Sequence, residues 1–373
     1  MKQPHNARAA TKTMLQPSPP PLPDRTEPIR RAREQVLRER VPALQGLVAP
    51  WIERSWQRCL AAGHRPEQPL GFDAVSAAQA RAAAEGNRRL AAAARPVLER
   101  VAQALAHTRY FAVLTNAEGM VVDAHGAIDR SDRRALLITR IGTDLSERRV
   151  GTTAIGAALF EQQPVWLHRA EHFFADTGAY SCAGAPLRGA DGQLAGMLDL
   201  TGIDVAERPE LQHLAAQAAR SIDNALVLAV PHALALRLSW PGGLPGGDSD
   251  GLLGLDGDGL VVAANPAARA MLALAPQGPA VHADALFAMP HAHLVDAALQ
   301  GRPFDVPLWS GLRIWAQAEA PQRRDTAVAP LPLKTVEEAL IRQAVDAARG
   351  NVALAARRLG ICRATVYRKL GRR

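Results

Sequence analysis

Eight side chains near the C-terminal end share one possible chemistry. Asn351, Arg357, Arg358, Arg363, Thr365, Tyr367, Arg368 and Lys369 bring guanidinium, ammonium, hydroxyl and amide groups into a single short stretch. Guanidinium forks match the O6 and N7 acceptors of guanine, and every cation there attracts phosphate. From Lys334 to Arg373 ten basic residues face three acidic ones, so this tail holds seven of the eight net positive charges. The preceding 333 residues balance at 34 basic against 33 acidic. A basic module on a neutral body is the footprint of a segment that meets nucleic acid. Charge alone would equally suit a solvated helix face, so the spacing has to decide.

The spacing predicts three short helices. Val336, Leu340, Ile341, Ala344, Val345 and Ala348 form the apolar stripe of the first. Gly350 and Asn351 stop it, and the Asn351 amide caps the next helix, 352–359, which buries Val352, Ala355, Ala356 and Leu359. Residues 360–362 make the turn, and Ile361 anchors it. The third helix begins near Arg363 and buries Val366 and Leu370. Arg363, Thr365, Tyr367, Arg368 and Lys369 then face outward into a major groove, while Arg357 or Arg358 and the capped helix start meet the backbone. One such helix covers few bases, so a homodimer on paired half-sites of double-stranded DNA is expected.

Other chemistries lack their residues. Cys59, Cys182 and Cys362 are few and far apart, giving neither a disulfide framework nor a metal spacing, and they suit a reducing cytoplasm. His168 and His172 stand four apart with no supporting HExxH pattern, so packing or surface roles are expected and no metal or cofactor. The acidic run from Asp248 lacks a calcium loop's closing Glu. Nothing matches GxxxxGK[ST], so no P-loop holds a nucleotide triphosphate. No apolar run reaches a membrane span, and residues 1–23 lack the apolar core of a secretory signal.

These residues need elements to position them. Residues 1–27 read as a disordered Pro-rich arm. From there to about 108 the apolar period is helical, with breaks expected at Pro42 and Pro96. Residues 110–115 and 120–124 read as a hairpin, as do 183–187 and 194–200. A helix over 152–161 and a strand over 164–167 lie between them, and a helix over 210–228 follows. This order predicts an α+β domain, an antiparallel sheet covered by helices, over 28–230. A Pro/Gly-rich linker, 231–250, leads to a second α+β segment, 251–320. That segment has a hairpin at 251–263, a helix opened by Asn265 and Pro266, and two short strands. A further linker, 321–333, precedes the all-α tail, 334–373.

Two resemblances follow from motifs. The run GNVALAARRLGICRATVYRKL resembles the Fis-type helix-turn-helix that ends many bacterial enhancer-binding activators, although Cys362 stands where that family commonly has Ser or Asn. The body resembles activators similar to the acetoin catabolism regulator. The match runs through Arg54–Cys59, Gly142–Asp144, Gly151–Gly156, Glu171–Phe173, Cys182–Pro186 and Gly196–Gly202, with Thr153 where Asn is common. The resemblance implies a GAF-like sensory domain, then a PAS-like segment opening at Asp256. An effector would bind between sheet and helices, with Tyr110, Phe111, Trp166, Phe173, Phe174 and Tyr180 as candidate lining. The family's ATPase domain and its GAFTGA loop have no counterpart here. The reading is a ligand-responsive, DNA-binding transcription regulator without ATPase activity. RNA polymerase or a homologous activator is a further partner under this reading. Its alternative is a protein–protein modulator of such an activator. An enzyme on the same fold, a thiol reductase, would need a resolving partner that Cys182 lacks nearby. Redox roles for Cys182 and Cys362, the effector and the operator stay open.

Overall fold

The computed structural model of the chain describes residues 25–319 apart from 73 and 277. In the tail it describes 345, 348, 351–359, 361–363, 365 and 366. The chain divides into two units, 1–319 and 320–373. The expected arm and the 321–333 linker lie outside the described residues, except for 25–27, where the first helix begins.

The first unit opens with helices α1 (Thr26–Arg33) and α2 (Pro50–Ala61). Pro50 sits in the first turn of α2, where its missing N–H has no partner to lose. A π-helical stretch prolongs α1 to Glu39, and the expected break at Pro42 lies in the gap before α2. Helix α3 (Ala77–Gly86) starts with a Ser76/Gln79 capping box, and α4 (Arg88–Ala104) follows directly. The expected break at Pro96 does not occur, because Pro96 lies inside α4. One missing N–H is outweighed by the face that α4 buries, with Leu90, Ala94, Val97, Leu98 and Val101 packed on the sheet.

That sheet has five antiparallel strands: β1 (Tyr110–Asn116), β2 (Val121–Gly126), β3 (Val165–His168), β4 (Tyr180–Arg188) and β5 (Leu194–Ile203). Their order is β2-β1-β5-β4-β3. The connections between β2 and β4 carry α5 (Arg133–Thr139), α6 (Glu147–Val150) and α7 (Ala154–Glu161), and α8 (Leu211–Leu228) follows β5. Side chains alternate across the pleat. Tyr110, Ala112, Leu114, Leu198 and Leu200 face α4 and α8. Phe111, Val113, Met197, Tyr180 and Cys182 face α5–α7.

A second antiparallel sheet completes the unit. It contains β6 (Leu234–Ser239), β7 (Gly251–Leu255), β8 (Val261–Ala264), β9 (Phe304–Pro307) and β10 (Arg313–Glu319), ordered β8-β7-β6-β10-β9. Its helices are α9 (Pro266–Leu272), α10 (Ala283–Leu286) and α11 (His291–Gln300). The stretch 231–250 is therefore not simply a linker: it contains β6, the middle strand. Leu234, Leu236 and Leu238 enter the core of this sheet, a period-2 pattern that the Pro/Gly composition after Ser239 conceals. A buried polar joint ties this sheet to α8. Asn265 donates to Asn224 Oδ1 (2.7 Å) and to the Asp250 carbonyl (2.8 Å). Its own Oδ1 accepts from Leu252 N (2.9 Å) and Ala268 N (2.8 Å), the latter capping α9.

In the second unit α12 (Val352–Leu359) has the bounds read from the sequence. Asn351 caps it, its Oδ1 accepting from Leu354 N at 3.1 Å. Val345, Ala348, Ala356 and Val366 are buried together, with Val352, Leu354 and Ile361 against them.

Candidate functional site

Between the inner face of the first sheet and α5–α7 lies a cavity of about 30 Å³. Val113 of β1, Tyr180 and Cys182 of β4, and Asp199 and Thr201 of β5 form its floor. Ile138, Leu145, Val150, Thr153 and Ile155 form the helical side, while Phe72, His172 and Thr177 close it from loops. The walls are mainly apolar, so its few polar groups are exceptional.

Two of those groups end in buried atoms without a hydrogen-bond partner among the described residues, His172 Nε2 and Asp199 Oδ1. His172 is 1% exposed and Asp199 2%. The His172 ring places Nδ1 2.9 Å from the Arg169 carbonyl. A carbonyl can only accept, so Nδ1 carries the proton and Nε2 offers a lone pair. Burial lowers the His172 pKa to about 4, which keeps the ring neutral. Asp199 has the opposite problem. Burial raises its pKa to about 7, against a hydrogen bond from Thr201 Oγ1 to Oδ2. Cys182 Sγ lies 3.5 Å from Thr201 Oγ1, extending a Cys–Thr–Asp chain across paired strands. Burial pushes the Cys182 thiol up, so it is no ready thiolate.

The N-terminal helices hold the elements around this cavity, and the motif from Arg54 to Cys59 supplies several of the contacts. Arg54 reaches Glu161 Oε2 (2.5 Å), and Ser55 Oγ donates to Glu147 Oε2 (2.5 Å) while lying 2.7 Å from Thr152 Oγ1. Trp56 Nε1 donates to the Glu171 carbonyl at 2.9 Å. Arg58 grips both oxygens of Glu147, at 2.7 and 2.8 Å. From α1, Arg33 donates to the carbonyls of Ala170, His172 and Phe173, fixing the turn that carries His172. Arg25 pairs with Glu207 (2.7 Å) and with the fully buried Glu171 carboxylate. Burial still raises Glu171 to about 7 despite Arg25 beside it. Gly151 turns the chain between cavity residues Val150 and Thr153 at φ 67°. A Cβ there would lie 2.9 Å from the Phe174 ring, so only glycine fits.

The six aromatics expected as lining do not gather in this cavity. Tyr180 lines it. Tyr110 and Trp166 belong to the opposite face of the sheet, where Tyr110 donates to the Ala206 carbonyl and Trp166 to Glu207. Adjacent strand residues cannot share a face, so Phe111 parts from Tyr110 and borders a separate hollow beside Arg109. Phe173 and Phe174 pack against α1 and α2 with Trp56. His172, Asp199 and Thr201 line the cavity although no aromatic size marks them in the sequence. A carboxylate and a hydroxyl inside the apolar run Met197–Gly202 were the available signal. His168 ends β3 with Nδ1 2.7 Å from Ser181 Oγ, and neither histidine lies on a helix. Cys182 is a buried free thiol.

In the tail, Asn351 holds its cap, Arg363 is exposed and Thr365 half-buried. Cys362 occupies the start of the last helix, its carbonyl accepting from Thr365 N at 3.0 Å. Arg357 and Arg358 lie on α12, and Tyr367, Arg368 and Lys369 lie outside the described residues.

Known proteins match both ends of the chain. Over 237 residues it is 32% identical to the acetoin catabolism regulatory protein of Cupriavidus necator, covering 59% of this chain and 34% of that one. Over 203 residues it is 34% identical to the propane 2-monooxygenase operon transcriptional activator MimR of Mycolicibacterium goodii, covering 52% and 33%. The matches thus span about a third of the length of these curated relatives. Among solved structures, the Escherichia coli DhaR(N)–DhaL complex covers 73% of this chain and all of that one, at 16% identity and TM-score 0.44. Residues 332–372 match the family model described as bacterial regulatory protein, Fis family. Residues 25–224, more than half of the chain, match that of the MimR N-terminal domain, and the chain belongs to that family of transcriptional regulators.

Proposed function

We propose that the protein is a ligand-responsive, sequence-specific DNA-binding transcription regulator that works in the cytoplasm as a homodimer and without hydrolysing ATP. The observation that carries the sensing half is the buried cavity with two unpartnered polar atoms, because native interiors seldom leave such atoms without a purpose. The reading half rests on the basic tail, its Asn351-capped α12 and the exposed Arg363. Arg363, Thr365, Tyr367, Arg368 and Lys369 read bases and nearby phosphates, while Asn351, Arg357 and Arg358 hold the backbone. The second α+β sheet fills the chain between sensor and tail, and the sequence holds no P-loop, which supports regulation without nucleotide hydrolysis. The names of the matched relatives, a propane 2-monooxygenase operon activator and an acetoin catabolism regulator, agree with a small effector molecule. No described helix is long and apolar enough to cross a membrane.

The test is a titration against genomic fragments at two salt concentrations, comparing wild type with Arg363→Ala/Arg368→Ala. Selective binding that weakens at least about ten-fold in the double variant, with a shallower salt slope, is the expected result. Binding that is nonspecific and unchanged in the variant would overturn the autonomous reader. It would favour a modulator that acts through a homologous activator.

A further inference from the structure

We infer that helix α11 of the second sheet is a docking surface for a basic amphipathic helix of another protein. A helix that covers a sheet buries one apolar stripe and turns polar residues to water. On α11 the inward stripe is Leu294, fully buried, with Ala298 packed against the same core. The rest of the helix should then be polar, and it is not. Ala292, Val295 and Leu299 are all exposed, Leu299 to 83%. Their spacing of three and then four residues sets them in a row along one face. A single exposed leucine is ordinary on a protein surface. A second apolar stripe at helical spacing is the pattern that pairs with another helix.

Charge identifies the occupant. The exposed Asp296 flanks the row on the same helix. At the N-terminal end of α11, the exposed Asp284 accepts from His291 N through Oδ1 (2.6 Å). Its carbonyl accepts from Trp309 Nε1 (2.8 Å), which fixes an indole that is 69% exposed. Helix α11 contains no lysine or arginine, and residues 231–319 hold eight carboxylates against four arginines and no lysine. Of those arginines, Arg269 is committed to the carbonyls of Ala190, Ala264 and Ala275, and Arg313 to Asp305. An acidic surface with an apolar row selects a partner of opposite charge and repels a second copy of itself. The occupant is therefore a helix with apolar anchors flanked by lysine or arginine. This inference draws on neither the cavity nor the basic tail, so it stands or falls apart from the proposed function.

The test uses the full chain and the fluorescence anisotropy of three labelled synthetic peptides. One is an amphipathic helix of leucine and lysine, and the second replaces its lysines by glutamate. The third scrambles the first, so that the charge stays and the apolar stripe is lost. The leucine–lysine helix should bind at least about ten-fold more tightly than either control. Leu299→Ser should weaken it at least about ten-fold, the loss expected when one leucine side chain no longer becomes buried. Asp296→Asn should weaken it about three-fold and flatten its dependence on salt. Both side chains are exposed, so neither change threatens the fold. Leu299→Arg, which adds a charge like the partner's own, should weaken binding more than Leu299→Ser does. Equal binding of the scrambled peptide overturns the inference, as does binding that ignores all three variants or no binding at all. Sedimentation velocity on the same proteins checks the competing occupant. Dimers of the wild type that dissociate in Leu299→Ser would make α11 a face between copies of this chain and would overturn the inference too.

Discussion

Asn265 is the centre of the buried polar joint that ties the second sheet to α8. Its side chain is 3% exposed and makes four hydrogen bonds, two as acceptor and two as donor. Asn265→Ala removes the cap of α9, a loss of about 1 kcal/mol. It also strands Leu252 N, Asn224 Oδ1 and the Asp250 carbonyl, at about 1–3 kcal/mol for each group that stays unpartnered. Asn224 Nδ2 keeps its bond to the Asp248 carbonyl (3.1 Å), which holds the side chain in place without serving Oδ1, and water can enter the vacated space to partner the stranded groups, so the net loss should be about 3–5 kcal/mol. Asn265→Ser keeps the cap but neither donor and should recover only about 1 kcal/mol. The assay is urea unfolding followed by tryptophan fluorescence, with hydrogen exchange at the Leu252 and Ala268 amides. The reasoning is refuted by a loss below about 1 kcal/mol in Asn265→Ala, or by Asn265→Ser matching wild type.

Two further perturbations follow from buried carboxylates. Asp223, 4% exposed, accepts from Arg188 N at 2.8 Å, and burial raises its pKa to about 7. Between its unfolded value near 4 and this folded value, the native state holds a proton that the unfolded chain has released. Stability is therefore greatest in acid and is lost as pH rises towards 7, by about 1.4 kcal/mol per unit. Asp223→Asn keeps the acceptor and removes the titration, so relative to wild type it should gain about 2 kcal/mol between pH 5 and pH 7 in urea unfolding; a constant difference would contradict the assignment. At the Arg25 clasp, Arg25→Ala should lose about 1–2 kcal/mol, discounted because the arginine side chain is 32% exposed. Adding Glu171→Gln should return most of that loss, whereas strict additivity in the double-mutant cycle would show that no buried charge had been left behind.

What could be read in the sequence was whatever local spacing controls. The hairpins β1–β2 and β4–β5, helix α8 and the capped α12 each carry a complete signal within their own residues, namely alternation, a turn or an Asn cap. Strand β6 escaped because its partners are distant: it pairs with β7 across the Pro/Gly run and with β10 near residue 315. Only tertiary context makes its six residues a strand. The Pro96 break failed for the same reason, since packing of α4 on the sheet overrode a local preference. At the cavity, aromatic size was a poor guide. The alternation that revealed β1 also required Tyr110 and Phe111 to face opposite ways, and the polar residues of the apolar strand β5 marked the hollow instead.

The place of β6 has a consequence for dividing the protein. It comes first in chain order yet lies in the middle of its sheet, with β7 on one side and β10 on the other. A fragment starting at Gly251, the apparent end of a linker, would leave β7 and β10 facing each other across a missing strand. One ending at Asp250 would carry β6 with both edges bare, an invitation to pair with a neighbouring molecule. The cut that spares both sheets falls between α8 and Leu234, although it severs the Asn224–Asn265 contact. Shuffling sensors among such regulators would have to respect that seam.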